Sequence, residues 1–286
     1  MKIRVANFNI DIVHINGDYF SDRYKAYRSE FEQADLTVRF SLCDRILKEG
    51  KHIANLADNT VLTESDGRLI ETYYAYNKPY MSISRTFDYS TAEIKIVNAF
   101  SAEKIKALEY FHISRFFSRF LAKNGALGLH SSCVSLDGQG VCFTAPSGTG
   151  KSTHTGNWLK VFGNRAVIIN DDKPAVIFKN NEVLVCGTPW SGKTTLNENM
   201  CVPLKAVVYL RRGEENTCAL MDKNEALLRI IEQTLSLKWD EQTTDNLIPQ
   251  IEKLLEKIPV YSLACNTDAA SAVVACKTIF GGKYEN

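Results

Sequence analysis

The stretch from Val141 to Phe162 constrains the fold of this chain more than any other segment. Val141-Cys142-Phe143-Thr144 has the composition of a buried strand, and a helical segment covers about residues 151–162. Between them, Ala145-Pro146-Ser147-Gly148-Thr149-Gly150-Lys151-Ser152 fits the phosphate-loop (P-loop) pattern: Ala or Gly, any four residues, Gly-Lys, then Ser or Thr. A strand, a glycine-rich loop and a helix in this order predict an α/β fold.

The chemistry of this loop suits a nucleoside triphosphate such as ATP, bound with Mg²⁺. Gly148 and Gly150 permit backbone angles that a side chain would block, so that backbone N–H groups and the helix N-terminus can surround phosphate. We expect Lys151 to hold the outer phosphates and the Ser152 hydroxyl to ligate the metal. The predicted nucleotide-binding residues are Ser147, Gly148, Thr149, Gly150, Lys151, Ser152 and Thr153. The alternative is a glycine-rich turn with a surface lysine, which the flanking strand and helix disfavour.

Paired carboxylates end the next apolar strand, where residues 166–169 lead into Asn170-Asp171-Asp172. An NTPase places its magnesium-binding acid at such a strand end. Neighbouring side chains on an extended segment point to opposite sides. We therefore expect one aspartate to ligate the metal and the other to act as a base on an acceptor hydroxyl, with Asp171 and Asp172 both open for either role. The alternative is an ordinary Asp-Asp turn.

A second glycine–lysine element, Gly187–Thr194, also fits the P-loop pattern. Too few residues follow it before Pro203 to form a helix. We predict a loop that carries Lys193 toward the phosphates or the acceptor, with Trp190 as a wall of the site. An ordinary surface loop is the alternative.

Three more residues are candidates from their positions. Arg211 and Arg212 follow a predicted strand at residues 206–210, where an arginine can stabilise a transferring phosphoryl group, although a solvated basic turn fits equally well. His130 precedes the strand that leads into the P-loop. Its position alone favours a structural role, because a single histidine is more often structural than catalytic.

The first 100 residues carry strand patterns and no catalytic motif. Alternating apolar residues and turn residues predict a mainly antiparallel sheet. Its clearest predicted strands cover residues 60–63, 69–76, 80–86 and 91–97. Ser101 predicts the N-cap of an aromatic-rich helix. We therefore predict two domains: a β-rich region over residues 1–100 that recognises the acceptor, and a kinase-like domain over residues 101–286.

The C-terminal part is predicted to be largely helical. One apolar stripe consists of Leu227, Leu228, Ile231 and Leu235. A second consists of Leu247, Ile251, Leu254, Leu255 and Ile258. A strand at residues 260–265 and a helix at about residues 268–280, ended by Gly281-Gly282, complete the prediction.

Composition disfavours several classes of protein. The chain has 286 residues and a formal net charge of +1, so no overall field attracts nucleic acid or a membrane. The N-terminus is charged where a signal peptide is apolar, and no run approaches the roughly 20 apolar residues of a membrane span. None of the eight cysteines form a Cys-x-x-Cys pair, and most lie in apolar runs. We therefore expect a cytoplasmic protein with buried thiols rather than disulfides or zinc.

The region around the P-loop resembles the catalytic domain of HPr kinase/phosphorylase. The run from residue 129 to 152 has a histidine, a strand pair and a short P-loop, and Asp171-Asp172 resembles the paired acids of that family. The resemblance covers about residues 125–212. It implies a mixed sheet of the kind shared with phosphoenolpyruvate carboxykinase. It also implies that His130 lies beside the acceptor, that one aspartate is the base, and that Ser152 and the other aspartate hold Mg²⁺.

The chain departs from that family at Leu184-Val185-Cys186-Gly187, where family members carry Glu-x-Arg-Gly. The C-terminal basic loop that engages HPr is also not recognisable. The chain therefore resembles divergent HPr-kinase-like proteins, which phosphorylate peptides or small hydroxyl compounds.

These patterns together predict an α/β protein with a mixed-sheet P-loop domain. The predicted activity is an ATP- and Mg²⁺-dependent kinase acting on a hydroxyl of a protein, a peptide or a small molecule. Its predicted catalytic residues are His130, Asp171, Asp172, Lys193 and Arg211. The alternatives are a nucleotide-binding switch without transfer, and a pyrophosphate-using phosphorylase or carboxykinase-like enzyme. The sequence leaves open the acceptor, the nucleotide base and the formation of a homo-oligomer.

Overall fold

The computed structural model describes residues 1–237 and 239–281. The chain divides into two compact units. Unit 1 comprises Met1–Asn124 and Ser236–Thr244, and unit 2 comprises Gly125–Leu235 and the chain from Asp245 onward. The division therefore falls after Asn124, whereas the sequence predicted a boundary after residue 100.

Unit 1 is built on a mixed sheet that has eight strands in the described chain. The strands are β1 (Lys2–Val5), β2 (Phe8–Val13), β3 (Leu36–Cys43), β4 (Lys51–Leu56), β5 (Thr60–Ser65), β6 (Arg68–Ala75), β7 (Lys78–Arg85) and β8 (Thr91–Val97). Their spatial order is β1-β2-β3-β8-β7-β6-β5-β4. β3 is parallel to both β2 and β8, and the other neighbours are antiparallel. The predicted strands and their mainly antiparallel pairing are confirmed.

A long helix follows the last of these strands. Short helical turns first occur at Gly17–Phe20, α1 (Ser21–Tyr24) and Lys25–Tyr27. The long helix, α2 (Ala102–Lys123), begins where predicted, because the Ser101 side chain accepts a hydrogen bond from the Lys104 N–H at 3.3 Å. Its aromatic face is buried, and the ring centroids of Phe120 and Phe8 lie 5.1 Å apart.

A buried ion cluster ties the segment Ser236–Thr244 to the sheet and helix of unit 1. Glu71 on β6 accepts hydrogen bonds from Arg119 on α2 at 2.7 and 2.8 Å and from Arg85 on β7 at 2.7 Å. Arg85 also lies 3.6 Å from a carboxylate oxygen of Asp240, which accepts a hydrogen bond from the Tyr89 hydroxyl at 3.2 Å. Burial acts to raise the pKa of Glu71, but the two guanidinium groups outweigh it and lower the pKa to about 2.

Unit 2 contains a second mixed sheet, with nine strands among the described residues. The strands are β9 (Leu127–Gly128), β10 (Ser131–Leu136), β11 (Gln139–Thr144), β12 (Ala166–Asn170), β13 (Ala175–Lys179), β14 (Glu182–Cys186), β15 (Cys201–Arg212), β16 (Thr217–Leu220) and β17 (Val260–Cys265). The spatial order is β12-β10-β11-β15-β14-β13-β9, and β17 pairs with both β15 and β16. β15 is parallel to β11 and β17 but antiparallel to β14. The expected mixed sheet is confirmed.

The helices that follow the first unit-2 strands are α3 (Lys151–Phe162), α4 (Lys223–Gln233), α5 (Glu241–Lys257) and α6 (Ala270–Phe280), with a short turn at Gly163–Arg165. The core beside β11 includes Phe143, whose ring centroid lies 5.5 Å from that of Trp158 on α3. The second predicted stripe is confirmed, since Leu247, Ile251 and Leu254 are fully buried.

Two predictions about this part of the chain are wrong. In the first apolar stripe, Leu228 is 59% exposed and Leu235 lies beyond the end of α4; the buried face instead contains Ala226, Ile230 and Gln233. The prediction chose the wrong phase because leucines lie on both sides of this amphipathic helix. The predicted end of the last helix at Gly281-Gly282 includes Gly282, which lies outside the described residues.

The second error concerns the cysteines, because Cys186 and Cys201 form a disulfide. They are directly opposite each other on the antiparallel pair β14 and β15, which brings their Cβ atoms within bonding reach. The apolar surroundings of each cysteine carried no information about this pairing. Within residues 1–237 and 239–281, none of the helices has the length and apolar character needed to cross a bilayer.

Candidate functional site

The glycine loop, residues 145–150, connects β11 to α3 as the sequence predicts. Gly148 and Gly150 have φ values of +79° and +112°, which favour glycine. A Cβ at either position would meet nothing within 4 Å, so the backbone angle and not crowding requires glycine. No described side chain caps α3, and its first-turn N–H groups therefore lack the partners that a cap would provide.

Sheet topology gathers the polar residues around this loop. Because β10 runs antiparallel to both β11 and β12, its first residues lie beside the last residues of those strands. Ser131 is paired with Thr144, and Cys133 with Asn170. His130 immediately before β10, Lys151 at the start of α3, and the aspartates after β12 therefore come together at one edge of the unit 2 sheet.

A hydrogen-bonded chain links the loop lysine to one aspartate. The Lys151 Nζ atom lies 3.1 Å from His130 Nε2, and His130 Nδ1 lies 3.1 Å from Asp172 Oδ1. An ammonium group only donates, so His130 accepts at Nε2 and carries its proton on Nδ1, which donates to Asp172. Lys151 also donates to the carbonyl oxygen of Ala145 at 2.8 Å, and Asp172 forms an ion pair with Lys173.

These contacts shift the pKa values of Lys151 and Asp172, the two end groups of this hydrogen-bonded series. Burial favours the protonated form of Asp172, but the hydrogen bond from His130 and the charge of Lys173 outweigh it, so the pKa of this carboxyl lies below its ordinary value. Burial lowers the pKa of Lys151, and the negative charges of Asp172 and Asp171 counteract only part of that effect. Asp172 is therefore held as a carboxylate beside a partly desolvated lysine.

The other aspartate has a different, hydroxyl-rich environment. Asp171 accepts hydrogen bonds from the Ser132 hydroxyl at 2.7 Å and from the Thr194 hydroxyl at 3.1 Å. The Thr155 hydroxyl on α3 lies 2.8 Å from that of Ser132. The expected orientation of the two aspartates to different sides is thus observed.

Sequence reasoning missed Ser132 and Thr155, because a serine and a threonine in apolar surroundings are common. Thr155 lies one helical turn after Lys151, and that spacing was the available signal.

The second glycine–lysine element, Gly187–Thr194, is a loop, as predicted. It contacts both aspartates: besides the hydrogen bond from Thr194, a Cβ placed on Gly192 would lie 3.0 Å from the Cβ of Asp172. Lys193 is exposed at this loop. Trp190 is 1% exposed, so it packs inside the unit and does not form an open wall.

The two arginines at the end of β15 point to different partners, as alternation along a strand requires. Arg211 forms an ion pair with Glu225 on α4. Arg212 donates from Nη2 to the carbonyl oxygen of Gly148 at 3.0 Å and so borders the glycine loop. The predicted Arg211 is therefore engaged elsewhere, and the arginine beside the loop is its neighbour.

The oxygen donors at this edge match the preferences of Mg²⁺. Asp171, Asp172 and the exposed Ser152 hydroxyl are hard oxygen ligands. Among the described residues, no group of three or more His, Cys, Asp or Glu could hold a metal by itself.

The fold and the site together define a mixed α/β protein with a lysine–histidine–carboxylate cluster at a glycine-rich strand-to-helix turn. The chain belongs to the ScmC family, described as SynChlorMet cassette protein ScmC, whose model matches residues 95–270. The matched range is more than half of the 286 residues and includes every residue of the cluster.

Comparison with solved structures gives a weak similarity to the HPr(Ser) kinase/phosphatase from Coxiella burnetii. The identity is 11%, the match covers 49% of this chain and 79% of that one, and the TM-score is 0.29. A similarity at this level says nothing further about this chain. No curated protein matches the sequence.

Proposed function

We propose that this protein is an ATP- and Mg²⁺-dependent kinase that transfers the terminal phosphoryl group to a hydroxyl of a protein, a peptide or a small molecule. One observation carries the proposal. Lys151 of the glycine loop contacts His130 at 3.1 Å, and His130 contacts Asp172 at 3.1 Å. Asp171 precedes Asp172 in the sequence. Groups suited to bind phosphate, hold a cation and accept a proton therefore lie at one edge of one sheet.

Nucleotide binding is proposed to begin with a change of partner at Lys151. In the structure this lysine donates to His130 and to the backbone of Ala145. A triphosphate offers a stronger anionic partner, together with the N–H groups of the glycine loop and the first turn of α3. Lys151 then contacts the outer phosphates, which favours its charged form and leaves His130 Nε2 without its present donor.

The two aspartates are proposed to have separate roles. Asp171 and Ser152 would hold Mg²⁺, and the ion would neutralise charge on the phosphates when bound. His130 Nε2 accepts the proton of the acceptor hydroxyl while the Nδ1–H group stays hydrogen-bonded to Asp172. The Asp172 carboxylate then stabilises the imidazolium that forms. Lys193, on the loop against Asp172, is proposed to contact the transferring group. Arg211 pairs with Glu225, so we do not assign it to the transferring group; Arg212 borders the glycine loop from the other side of α3.

The similarity of residues 129–152 and Asp171-Asp172 to HPr kinase/phosphorylase supports this proposal at the level of motifs. We propose that the chain is a divergent relative of those kinases. The residues Leu184 to Gly187, which replace Glu-x-Arg-Gly, favour an acceptor other than HPr.

The proposal is tested by phosphorus NMR of the full chain with ATP, Mg²⁺ and pooled serine peptides and small hydroxyl compounds. We expect a new phosphate ester. Lys151→Ala should abolish ATP binding. Asp171→Ala and Asp172→Ala should retain binding but lower transfer by about 100-fold or more. Lys205→Ala, an exposed residue of β15 away from the cluster, is the matched control.

Three results would contradict the kinase. Phosphoryl transfer that persists in both aspartate variants would contradict the proposed mechanism. ATP binding without any phosphorylated product would indicate a nucleotide switch. Turnover that requires pyrophosphate in place of ATP would indicate a phosphorylase-type enzyme.

A further inference from the structure

A cavity of about 490 Å³ lies next to the glycine loop and contains none of the residues of the lysine–histidine–aspartate chain among its described lining. Its walls come from the loop, from α3, from the end of β15 and from the segment after β17. Its polar lining includes Thr153, Asn157, Arg212 and Asn266. Its volume is within the range of small-molecule sites, which is about 300–1,000 Å³.

Helix α3 separates this cavity from the reacting residues. Lys151 and Thr155 face His130 and Ser132, whereas Thr153 and Asn157 face the cavity. Residues two apart on an α-helix lie about 200° apart around its axis, so the two pairs occupy opposite faces. A molecule whose phosphates lie at the start of α3 has its reacting end on one face and can extend its other end into the cavity on the opposite face.

The chemistry of the cavity suits a flat aromatic group. Arg212 is fixed at its edge by the hydrogen bond to Gly148 O at 3.0 Å, and a guanidinium plane stacks on aromatic faces. His154, also at the wall, is committed to the protein: its Nε2 accepts from Trp158 at 3.1 Å, and its Nδ1 lies 3.2 Å from the Ser271 hydroxyl. Burial lowers the pKa of His154 to about 4, so the ring is neutral.

The side-chain amide donors are committed as well. Asn157 Nδ2 donates to the carbonyl oxygens of Thr267 and Asp268 at 3.2 and 3.3 Å, and Asn266 Nδ2 donates to Glu214 O at 3.1 Å. The Oδ1 atom of Asn266 accepts from the Asp268 N–H at 2.9 Å. These hydrogen bonds engage Asn157 Nδ2 twice and Asn266 Nδ2 once, so most of the amide donor capacity at the cavity fixes its walls and little is left to read the edge of a base.

We propose that this cavity binds the purine nucleoside of the triphosphate, with Arg212 stacked on the base, and that it selects by shape and stacking more than by hydrogen bonds to the base edge. This inference rests on the proposed function and adds a nucleoside site to it. ATP should therefore bind more tightly than the bare polyphosphate chain, while ATP and GTP should bind with similar affinities.

Calorimetric titration of the full chain with the Mg²⁺ complexes of ATP, GTP and inorganic tripolyphosphate tests the proposal. We expect ATP to bind at least about tenfold more tightly than tripolyphosphate, and GTP to bind within about tenfold of ATP. Arg212→Lys keeps the positive charge but loses the planar guanidinium, and Thr267→Phe, an exposed residue of the cavity wall, fills part of the cavity. Both substitutions should reduce the advantage of ATP and leave the affinity for tripolyphosphate within about twofold. Lys205→Ala should change neither.

The outcomes separate this inference from the proposed function. If tripolyphosphate binds as tightly as ATP, or if both variants keep the full advantage of ATP, the nucleoside lies elsewhere and only the inference fails. GTP binding that is weaker than ATP binding by more than about tenfold would also overturn the inference, because such a difference requires hydrogen bonds that read the base edge. If neither ATP nor tripolyphosphate binds to the unchanged chain, both the inference and the proposed function fail.

Discussion

At the scale of single residues, the protonation of the cluster follows from donor and acceptor chemistry. Lys151 can only donate, so His130 must accept at Nε2 and donate from Nδ1 to Asp172. The order of donors orients the imidazole with its acceptor nitrogen toward the glycine loop. A proton acceptor held in one tautomer by a carboxylate suits the role of general base that we propose for His130.

The position of Asp172 depends on Gly192, which gives the first prediction. A Cβ on Gly192 would lie 3.0 Å from the Cβ and 3.1 Å from the Oδ2 of Asp172, and the residue has φ of +67°. We expect Gly192→Ala to displace the carboxylate from His130 and to lower phosphoryl transfer by about tenfold or more, with ATP binding unchanged. Steady-state kinetics and calorimetric titration measure the two effects.

Gly138→Ala is the matched control for this prediction. Gly138 has φ of +80°, but its Cβ would meet nothing within 4 Å. Both substitutions should destabilise the fold by about 1 kcal/mol through the backbone angle. Equal transfer rates in the two variants would show that Gly192 does not position Asp172.

At the scale of elements, the disulfide closes the loop that contacts both aspartates. Cys186 ends β14 and Cys201 begins β15, and the 15-residue separation contains Gly192 and Thr194. Backbone hydrogen bonds from Gly187 N to Met200 O at 3.0 Å and from Glu198 N to Ile169 O at 3.0 Å hold the same loop against the end of β12. The glycine loop at residues 145–150 lies outside this closed segment.

Removal of the disulfide should therefore lower stability without abolishing nucleotide binding. For a loop of this length, the chain-entropy model gives about 3 kcal/mol of stabilisation. We expect the double variant Cys186→Ser, Cys201→Ser to melt at a lower temperature than the unchanged chain. The unchanged chain with a dithiol reductant should melt like the double variant, which should not respond to the reductant.

Cys218→Ser serves as the control for this experiment, because Cys218 is a free thiol in the described structure. It should leave the response to the reductant intact. Identical melting of the oxidised and reduced chain would contradict a stabilising disulfide.

At the scale of the whole molecule, each of the two units is stabilised by a different kind of interaction within itself. Unit 1 has a buried ion cluster in which Glu71 lies between Arg85 and Arg119, and all three side chains are at most 1% exposed. Unit 2 has an apolar core that includes Phe143, Trp158 and Val208. Acidic pH should therefore weaken the ion cluster of unit 1, whereas the apolar core of unit 2 has no charge to lose.

The predicted acid response follows from the lowered pKa of Glu71. This pKa falls from 4.5 to about 2 in the folded state. A lowered carboxyl pKa contributes stability above the unfolded value, and that contribution is lost as pH falls toward the folded value. Unit 1 should thus lose about 3 kcal/mol between pH 4.5 and 2. Scanning calorimetry over this pH range measures the loss.

Glu71→Gln should be destabilised by about 3–5 kcal/mol at neutral pH, because two buried guanidinium groups lose their counter-charge, and should lack this acid response. Glu64→Gln, an exposed residue of β5, is the control. An unchanged acid profile in Glu71→Gln would show that Glu71 does not titrate as described.

The sequence by itself determined the local units. Periodicity, turn residues and caps predicted many strands of both sheets, the start of α2 at Ser101, and the strand–loop–helix unit around Gly148 and Gly150, because these signals act over a few residues. They did not predict β3, β4 or β16. Motifs also selected Lys151, Asp171 and Asp172, and the resemblance to HPr kinase/phosphorylase selected His130. The structure brings these four residues together, and their chemical roles remain predictions.

Only the tertiary structure decided which distant residues meet. The pairing of Cys186 with Cys201 depends on the register of β14 and β15, and the contact of Arg212 with the glycine loop depends on which face of β15 each arginine occupies. The position of Ser132 and Thr155 beside Asp171 likewise depends on how α3 packs on the sheet. A local pattern fixes the conformation of a segment, whereas strand register and helix packing come from burial summed over the whole unit.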